Sequence, residues 1–75
     1  MADKLLDTKG LKCPLPVLRA RKAMKDMAPG AVIEIQATDP GSVQDFKNFC
    51  ETTGHSLLAQ RQEGDVFVFE IKKVG

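Results

Sequence analysis

The sequence lacks tryptophan and tyrosine entirely, and its only histidine is His55. Its formal net charge is +1, so no bulk electrostatic force attracts nucleic acid or an acidic membrane. No apolar run is long enough to cross a bilayer, and residues 1–4 show no apolar signal-peptide region. These absences predict a cytoplasmic protein with no membrane partner.

Cysteine is also scarce, because the chain contains only Cys13 and Cys50. The two could form one disulfide, but a chain without a secretion signal is expected to keep its thiols reduced. The rest of the composition is ordinary for a globular protein, with 43% hydrophobic residues. A length of 75 residues predicts one small domain over residues 1–75.

Apolar periodicity predicts two helices and four strands in the order β-α-β-α-β-β. The predicted strands cover 4–7, 31–37, 55–62 and 66–72; the predicted helices cover 14–27 and a segment that starts between 39 and 42 and ends near 53. Two helices cannot cover both faces of a four-stranded sheet. We therefore expect an α+β fold, a two-layer α/β sandwich with both helices on one face of a mixed sheet.

Each predicted helix has an apolar stripe. The first contains Val17, Ala20, Met24 and Met27, widened by Leu18 and Ala23, and the second contains Val43, Phe46, Phe49 and Cys50. Its place in the second stripe predicts that Cys50 is a buried hydrophobe. Asp39 followed by Pro40 is one candidate for the cap of the second helix. Ser42, with Asp45 three positions on, is the other.

Cys13 lies in the run GLKCPLP, immediately before the first helix. Pro14 and Pro16 suit the first turn of a helix, where N–H groups have no intrahelical partner, and they stiffen the entry to it. Pro14 also favours an extended, N-cap-like conformation of Cys13. The free N–H groups of Leu15 and Val17, with the helix dipole, would then favour the reactive thiolate.

Other parts of a thiol enzyme are missing. His55 is expected at the start of a strand and no Cys/His/Asn set is evident, which disfavours acyl transfer with a dedicated base. No Cys-x-x-Cys pair is present, which disfavours a redox protein that uses Cys13 and Cys50. A thiolate without such a base suits exchange between sulfur atoms.

The run around Cys13 resembles the TusA (SirA-like) family of sulfur carriers. Nearly the whole chain shares the resemblance, which includes the Cys-Pro-x-Pro element, the Pro29-Gly30 break, the Thr38-Asp39-Pro40 turn, the Phe49-Cys50 pair and the closing hairpin. It implies the two-layer sandwich and a cytoplasmic sulfurtransferase that carries sulfane sulfur as a persulfide on Cys13. It implies no cofactor or metal beyond that covalent persulfide.

The resemblance also implies protein partners. Donors in the family are typically a cysteine desulfurase or a rhodanese-like protein. Acceptors include DsrE-like relay proteins that feed tRNA 2-thiouridine synthesis, and sulfur-oxidation enzymes; some members are linked to molybdenum-cofactor maturation. The best-known tRNA-thiolation member has an acidic residue between the two prolines, where this sequence has Leu15. The more basic and apolar local surface keeps sulfur oxidation open beside tRNA thiolation.

The candidates for a partner-docking surface near the thiol are basic: Lys9, Lys12, Arg19, Arg21 and Lys22. Lys9 or Lys12 could also stabilise an anion at sulfur. For Arg21 and Lys22 an ordinary solvated helix face is the alternative. The alternative function is a non-catalytic RNA- or protein-binding regulatory module. The small net charge, and the lack of aromatic residues among these basic ones, disfavour direct nucleic-acid binding.

Overall fold

The computed structural model describes residues 2–74, which form two helices and four strands in the predicted order β-α-β-α-β-β. The elements are β1 Lys4–Thr8, α1 Leu15–Met24, β2 Val32–Ala37, α2 Ser42–Thr53, β3 Ser56–Glu63 and β4 Val66–Lys72. Neither helix in this part of the chain is long and apolar enough to span a membrane.

The strands form one mixed sheet in the order β1-β2-β4-β3. β1 and β2 are parallel, whereas β4 pairs antiparallel with both β2 and β3. Parallel neighbours end at the same edge of a sheet. The segments that follow β1 and β2 therefore leave the sheet side by side, and each leads into a helix.

One face of the sheet carries the core, as the alternation in β2 and β4 predicts. Ile33 and Ile35 of β2 and Phe69 of β4 are fully buried against it. Both helices pack on this same face, because Ala20 of α1 and Phe46 of α2 belong to the same buried cluster. The predicted α+β sandwich with both helices on one face is confirmed.

The first helix differs from the prediction in its length and its core face. It ends at Met24, three residues early, although Met27 stays buried beyond it. Leu18 is 51% exposed and does not widen the core stripe. The reason is helical geometry: α1 is anchored by buried Pro16 and Ala20, and a residue two positions from each points to the opposite side.

The outer face of the sheet carries an ion-pair cluster centred on Arg61. Its guanidinium lies 2.6 Å from Glu63, 3.0 Å from Glu70 and 3.9 Å from Glu34. Val68, paired with Arg61 across the strands, is buried on this face at 2% exposure. The cluster holds three carboxylates for one guanidinium, so this part of the outer face is acidic.

Candidate functional site

The candidate site forms where the segments after β1 and β2 meet. Thr8, the last residue of β1, pairs with Ala37, the last residue of β2. The Thr8 hydroxyl donates to the Gln36 carbonyl over 2.6 Å, and the Gly10 N–H donates to the Thr38 hydroxyl over 2.9 Å. These bonds hold the Cys13 segment against the turn that precedes α2.

Cys13 is exposed at this junction and is held by two carboxylates. Its backbone N–H donates to Asp39 Oδ2 over 2.6 Å. Its thiol donates to Asp45 Oδ2, on the first turn of α2. Both partners lie more than 25 positions away in the chain, so the fold and not the local sequence creates this environment.

Gly41 allows the two segments to approach. A Cβ atom on Gly41 would lie 3.3 Å from Asp39 Oδ2, 3.4 Å from Cys13 Cβ and 3.7 Å from Cys13 Sγ. The first of these distances is tighter than ordinary van der Waals contact. The missing side chain therefore leaves room for Cys13 beside the start of α2.

The start of α1 offers the Cys13 sulfur fewer free N–H groups than predicted. Its N-cap is Pro14, so Cys13 lies one residue before the cap position. The Cys13–Pro14 peptide bond is cis. The Leu15 N–H is not free for the sulfur, because it donates to the Lys12 carbonyl over 2.8 Å. Pro16 occupies the first turn, as expected, and its ring is buried.

The structure overturns the expectation that the site favours thiolate. The hydrogen bond to Asp45 raises the pKa of the Cys13 thiol above its usual range. Desolvation and the negative charges of Asp45 and Asp39 raise this pKa further. Neither Lys9 nor Lys12 contributes a compensating stabilisation of the anion. The carboxylates around Cys13 therefore favour its thiol form.

Both side chains predicted to cap α2 have other partners. The N-cap is Gly41, with no side-chain cap bond. Asp39 binds the Cys13 N–H, and the Ser42 hydroxyl donates to the Asp39 carbonyl over 2.7 Å. Asp45, expected to support the helix start, accepts the thiol instead. The sequence signal for this arrangement was the presence of Asp39 and Asp45 near the start of α2. That signal points to Cys13 only when β1 and β2 are known to be parallel neighbours.

The basic residues predicted for docking divide into four groups. Lys9 is turned to Asp7, at 3.9 Å. Lys12 is exposed next to the thiol. Arg19 and Lys22 share one helical face with two exposed leucines; this set, called the exposed α1 stripe, consists of Leu15, Leu18, Arg19 and Lys22. Arg21 lies away from the stripe, 5.9 Å from the centre of the Phe49 ring.

An open groove runs between α1 and α2 and begins beside the thiol. Its volume is about 250 Å³. It is lined by Pro14, Val17 and Arg21 of the first helix region and by Asp45, Asn48, Phe49 and Thr52 of the second. Asp45 is therefore shared between the groove and the Cys13 thiol. Pattern analysis of separate helices could not have shown this groove.

The other residues singled out from the sequence lie away from the thiol. Cys50 is a free thiol that is buried in the core, as predicted, and burial raises its pKa. His55 accepts a hydrogen bond at Nδ1 from the Val74 N–H over 3.1 Å and lies against Phe49. Desolvation lowers the pKa of His55, and the charge of Lys73 lowers it further.

Comparisons with known proteins support the family that the motif around Cys13 indicates. The family model of sulfurtransferase TusA matches residues 4–73. The sulfur carrier protein TusA of Allochromatium vinosum is 51% identical over 71 residues, which cover 95% of this chain and 93% of that protein. Bacillus subtilis YrkI, which carries a provisional sulfur-carrier name, is 44% identical over 96% of each chain.

A solved structure has the same fold. The crystal structure of a SirA-like protein from Desulfitobacterium hafniense superposes with a TM-score of 0.83. The superposition covers 96% of this chain and 99% of that protein, at 24% sequence identity. The resemblance implied by the Cys-Pro-x-Pro element thus extends to the complete sheet and both helices.

Proposed function

The chain belongs to the sulfurtransferase TusA family, and on this basis we propose that it carries sulfane sulfur as a persulfide on Cys13. A donor protein supplies the sulfur and an acceptor protein removes it. The observation that carries the proposal is the free, exposed Cys13 thiol at the junction of two helix starts. A protein thiol or persulfide can approach such a sulfur directly, without a deep pocket.

The chemistry is exchange at sulfur. In loading, Cys13 Sγ forms a bond to the sulfane sulfur of the donor persulfide, and the donor S–S bond breaks. The donor leaves as a thiol and Cys13 becomes a persulfide, so no external oxidant or reductant is needed. In unloading, an acceptor thiolate attacks the outer sulfur and Cys13 returns to the thiol. The persulfide is covalent, so no separate cofactor is part of this proposal.

The exposed α1 stripe supplies a surface for partners. Leu15 and Leu18 are 42% and 51% exposed, and Arg19 and Lys22 continue the same helical face. Apolar contact area flanked by positive charge is suited to a partner with a matching apolar and acidic patch. Lys12, beside the thiol, extends the positive surface to the point of transfer.

The expected partners belong to the same proposal. The donor would be a cysteine desulfurase or a rhodanese-like protein, and the acceptor a DsrE-like or other sulfur-accepting protein. The pathway would be tRNA 2-thiouridine synthesis, sulfur oxidation or molybdenum-cofactor maturation. We place it in the cytoplasm, where a reducing environment keeps the two free thiols reduced.

The RNA-binding alternative gains no support from the exposed sheet face. Arg61 there is surrounded by three glutamates, and such a surface repels a phosphate backbone.

Labelled sulfur tests the proposal. Purified protein is incubated with a cysteine desulfurase and cysteine labelled in its sulfur, then digested with trypsin and analysed by mass spectrometry. Cleavage after Lys12 and Arg19 separates Cys13 from Cys50. We expect one labelled sulfur on the Cys13 peptide, released by a reductant and absent in Cys13→Ser. A protein that acquires no labile sulfur on Cys13 would refute the carrier function.

A further inference from the structure

We infer that Asp45 is a catalytic residue of sulfur transfer, taking the proton from the Cys13 thiol as sulfur is loaded and returning it as sulfur leaves. The inference deepens the proposed function and rests on it. It assigns to the site the proton acceptor that the sequence does not show, since His55 lies elsewhere and no other imidazole is present.

Contact geometry is the first argument. The Cys13 thiol donates directly to Asp45 Oδ2, so the proton already lies on the path between the two atoms. Asp45 is held in place because its backbone N–H donates to the Gly41 carbonyl over 3.2 Å, within the first turn of α2. Gly41 in turn has no side chain to separate that turn from Cys13.

The division of work between two carboxylates is the second argument. Asp39 binds the backbone N–H of Cys13 and so fixes the residue, whereas Asp45 accepts the hydrogen bond of the reacting thiol. Asp45 also lines the open groove, which connects the proton acceptor to solvent and to an approaching partner. A purely structural role in holding Cys13 would need only the hydrogen bond between Asp39 and the Cys13 backbone N–H.

The electrostatics of the site supply the third argument. The charged groups near the thiol are Asp39 before α2, Asp45 on α2, Arg21 across the groove and Lys12 beside it. The two aspartates raise the thiol pKa, so thiolate is scarce near neutral pH. A carrier in this state needs a base in contact with the thiol, because only the deprotonated sulfur attacks.

Each half-reaction then balances. In loading, the Cys13 proton moves to Asp45 Oδ2 as Sγ bonds to the sulfane sulfur. The electron pair of the broken S–S bond stays on the donor sulfur, which takes the proton from the Asp45 carboxyl. In unloading, the acceptor thiolate attacks the outer sulfur and the electron pair stays on Cys13 Sγ. The proton that the acceptor thiol gave up to the Asp45 carboxylate passes to Cys13 Sγ as this sulfur leaves.

The test compares two reactions of one thiol in wild type, Asp45→Asn and Asp45→Glu. Glu51→Gln is the matched control, because it exchanges a carboxylate for an amide on an exposed part of the same helix. The first reaction is alkylation of Cys13 by iodoacetamide, which needs only thiolate. The second is sulfur uptake from glutathione persulfide, followed by mass spectrometry of the Cys13 peptide. Circular dichroism checks that each variant is folded.

We expect the two reactions to change in opposite directions in Asp45→Asn. Removing the negative charge lowers the thiol pKa, so alkylation near neutral pH rises about threefold. Sulfur uptake slows about a hundredfold, because no carboxyl remains to return the proton to the departing glutathione sulfur, whereas iodide leaves without one. The deficit shrinks as pH rises and thiolate forms without help. Asp45→Glu retains part of the uptake, and Glu51→Gln changes neither reaction.

Uptake in Asp45→Asn that equals or exceeds the wild-type rate would overturn the inference while leaving the carrier function intact. Asp45 would then be only an electrostatic brake on the thiol. Asp45→Ser repeats the comparison if the asparagine variant does not fold, and wild-type uptake there overturns the inference equally. Wild-type protein that takes up no sulfur refutes the proposed function itself, and the inference fails with it.

Discussion

The two cysteines of this chain share one electrostatic property for opposite reasons. Both thiols have a raised pKa, but Cys13 is exposed beside two aspartates and Cys50 is buried in the core. The Cys13 shift comes first from a hydrogen bond to Asp45, and the Cys50 shift from desolvation alone. A raised thiol pKa therefore says little about function until its cause is known.

The cause decides what can reverse the shift. A hydrogen bond to a carboxylate is removed by one substitution or by a partner that draws the carboxylate away. Desolvation in the core is removed only by opening the core. Cys13 is therefore a thiol whose reactivity can be switched locally, whereas Cys50 is inert for as long as the fold persists.

The largest expected difference between the two cysteines is their rate of alkylation in the native state. Iodoacetamide reaches Cys13 directly but reaches Cys50 only through opening of the core. We expect Cys13 to react at least about a thousandfold faster, because opening a core position costs several kcal/mol. Tryptic peptide mapping over time measures both rates. Rates within about tenfold of each other would contradict the burial of Cys50.

Replacement by alanine should separate stability from function. Cys50→Ala leaves a small void among the apolar side chains around Phe46 and Phe49 and should lower the free energy of unfolding by about 1–2 kcal/mol. Cys13→Ala removes an exposed side chain and should change it by less than about 0.5 kcal/mol. Urea unfolding measures both values. Cys13→Ala should lose sulfur uptake and Cys50→Ala should keep it; the reverse pattern would make Cys13 the structural cysteine.

A methyl group at Gly41 should change the reactivity of Cys13 and leave that of Cys50 unchanged. The backbone there is helical, with φ of −64°, so alanine is accommodated without backbone strain. Its Cβ would press on Asp39 and on Cys13. We expect Gly41→Ala to slow sulfur uptake roughly two- to tenfold by displacing the thiol. Unchanged alkylation of Cys50 is the internal control, and unchanged uptake would show that the close approach is dispensable.

Features that depend on local interactions were predicted from the sequence, whereas features that depend on contacts between distant residues were not. Alternation within β2 and β4 marked their buried faces, because a strand's side-chain period is local. The Cys-Pro-x-Pro element marked Cys13 in the same way. The role of Asp45 was not visible, because the Cys13–Asp45 contact spans 32 positions. It depends on the parallel pairing of β1 and β2, and β1 is short and mostly exposed.

The predicted thiolate was wrong for a related reason. Local rules place the positive end of α1 beside Cys13, and that argument assumes free N–H groups in the first turn. Here the Lys12 carbonyl accepts the Leu15 N–H, and α2 contributes the Asp45 carboxylate from outside the local segment. The pKa of a thiol depends on every element that packs around it. The start of α1 taken alone therefore predicted a lowered pKa for Cys13, whereas the structure gives a raised one.

The smallest expected effect is on stability at alkaline pH, and it separates the two causes of the raised pKa. In the unfolded chain a thiol deprotonates at about pH 8.5. Both folded thiols resist this, so their contribution to stability is complete below that pH and is lost as pH rises through the folded pKa values. The unfolding free energy should thus fall as pH rises above about 8.5. Urea titrations should show a shallower fall in Asp45→Asn, which removes the Asp45 share of the Cys13 shift and leaves Cys50 unchanged. An identical slope would mean that the Asp45 hydrogen bond does not shift the thiol.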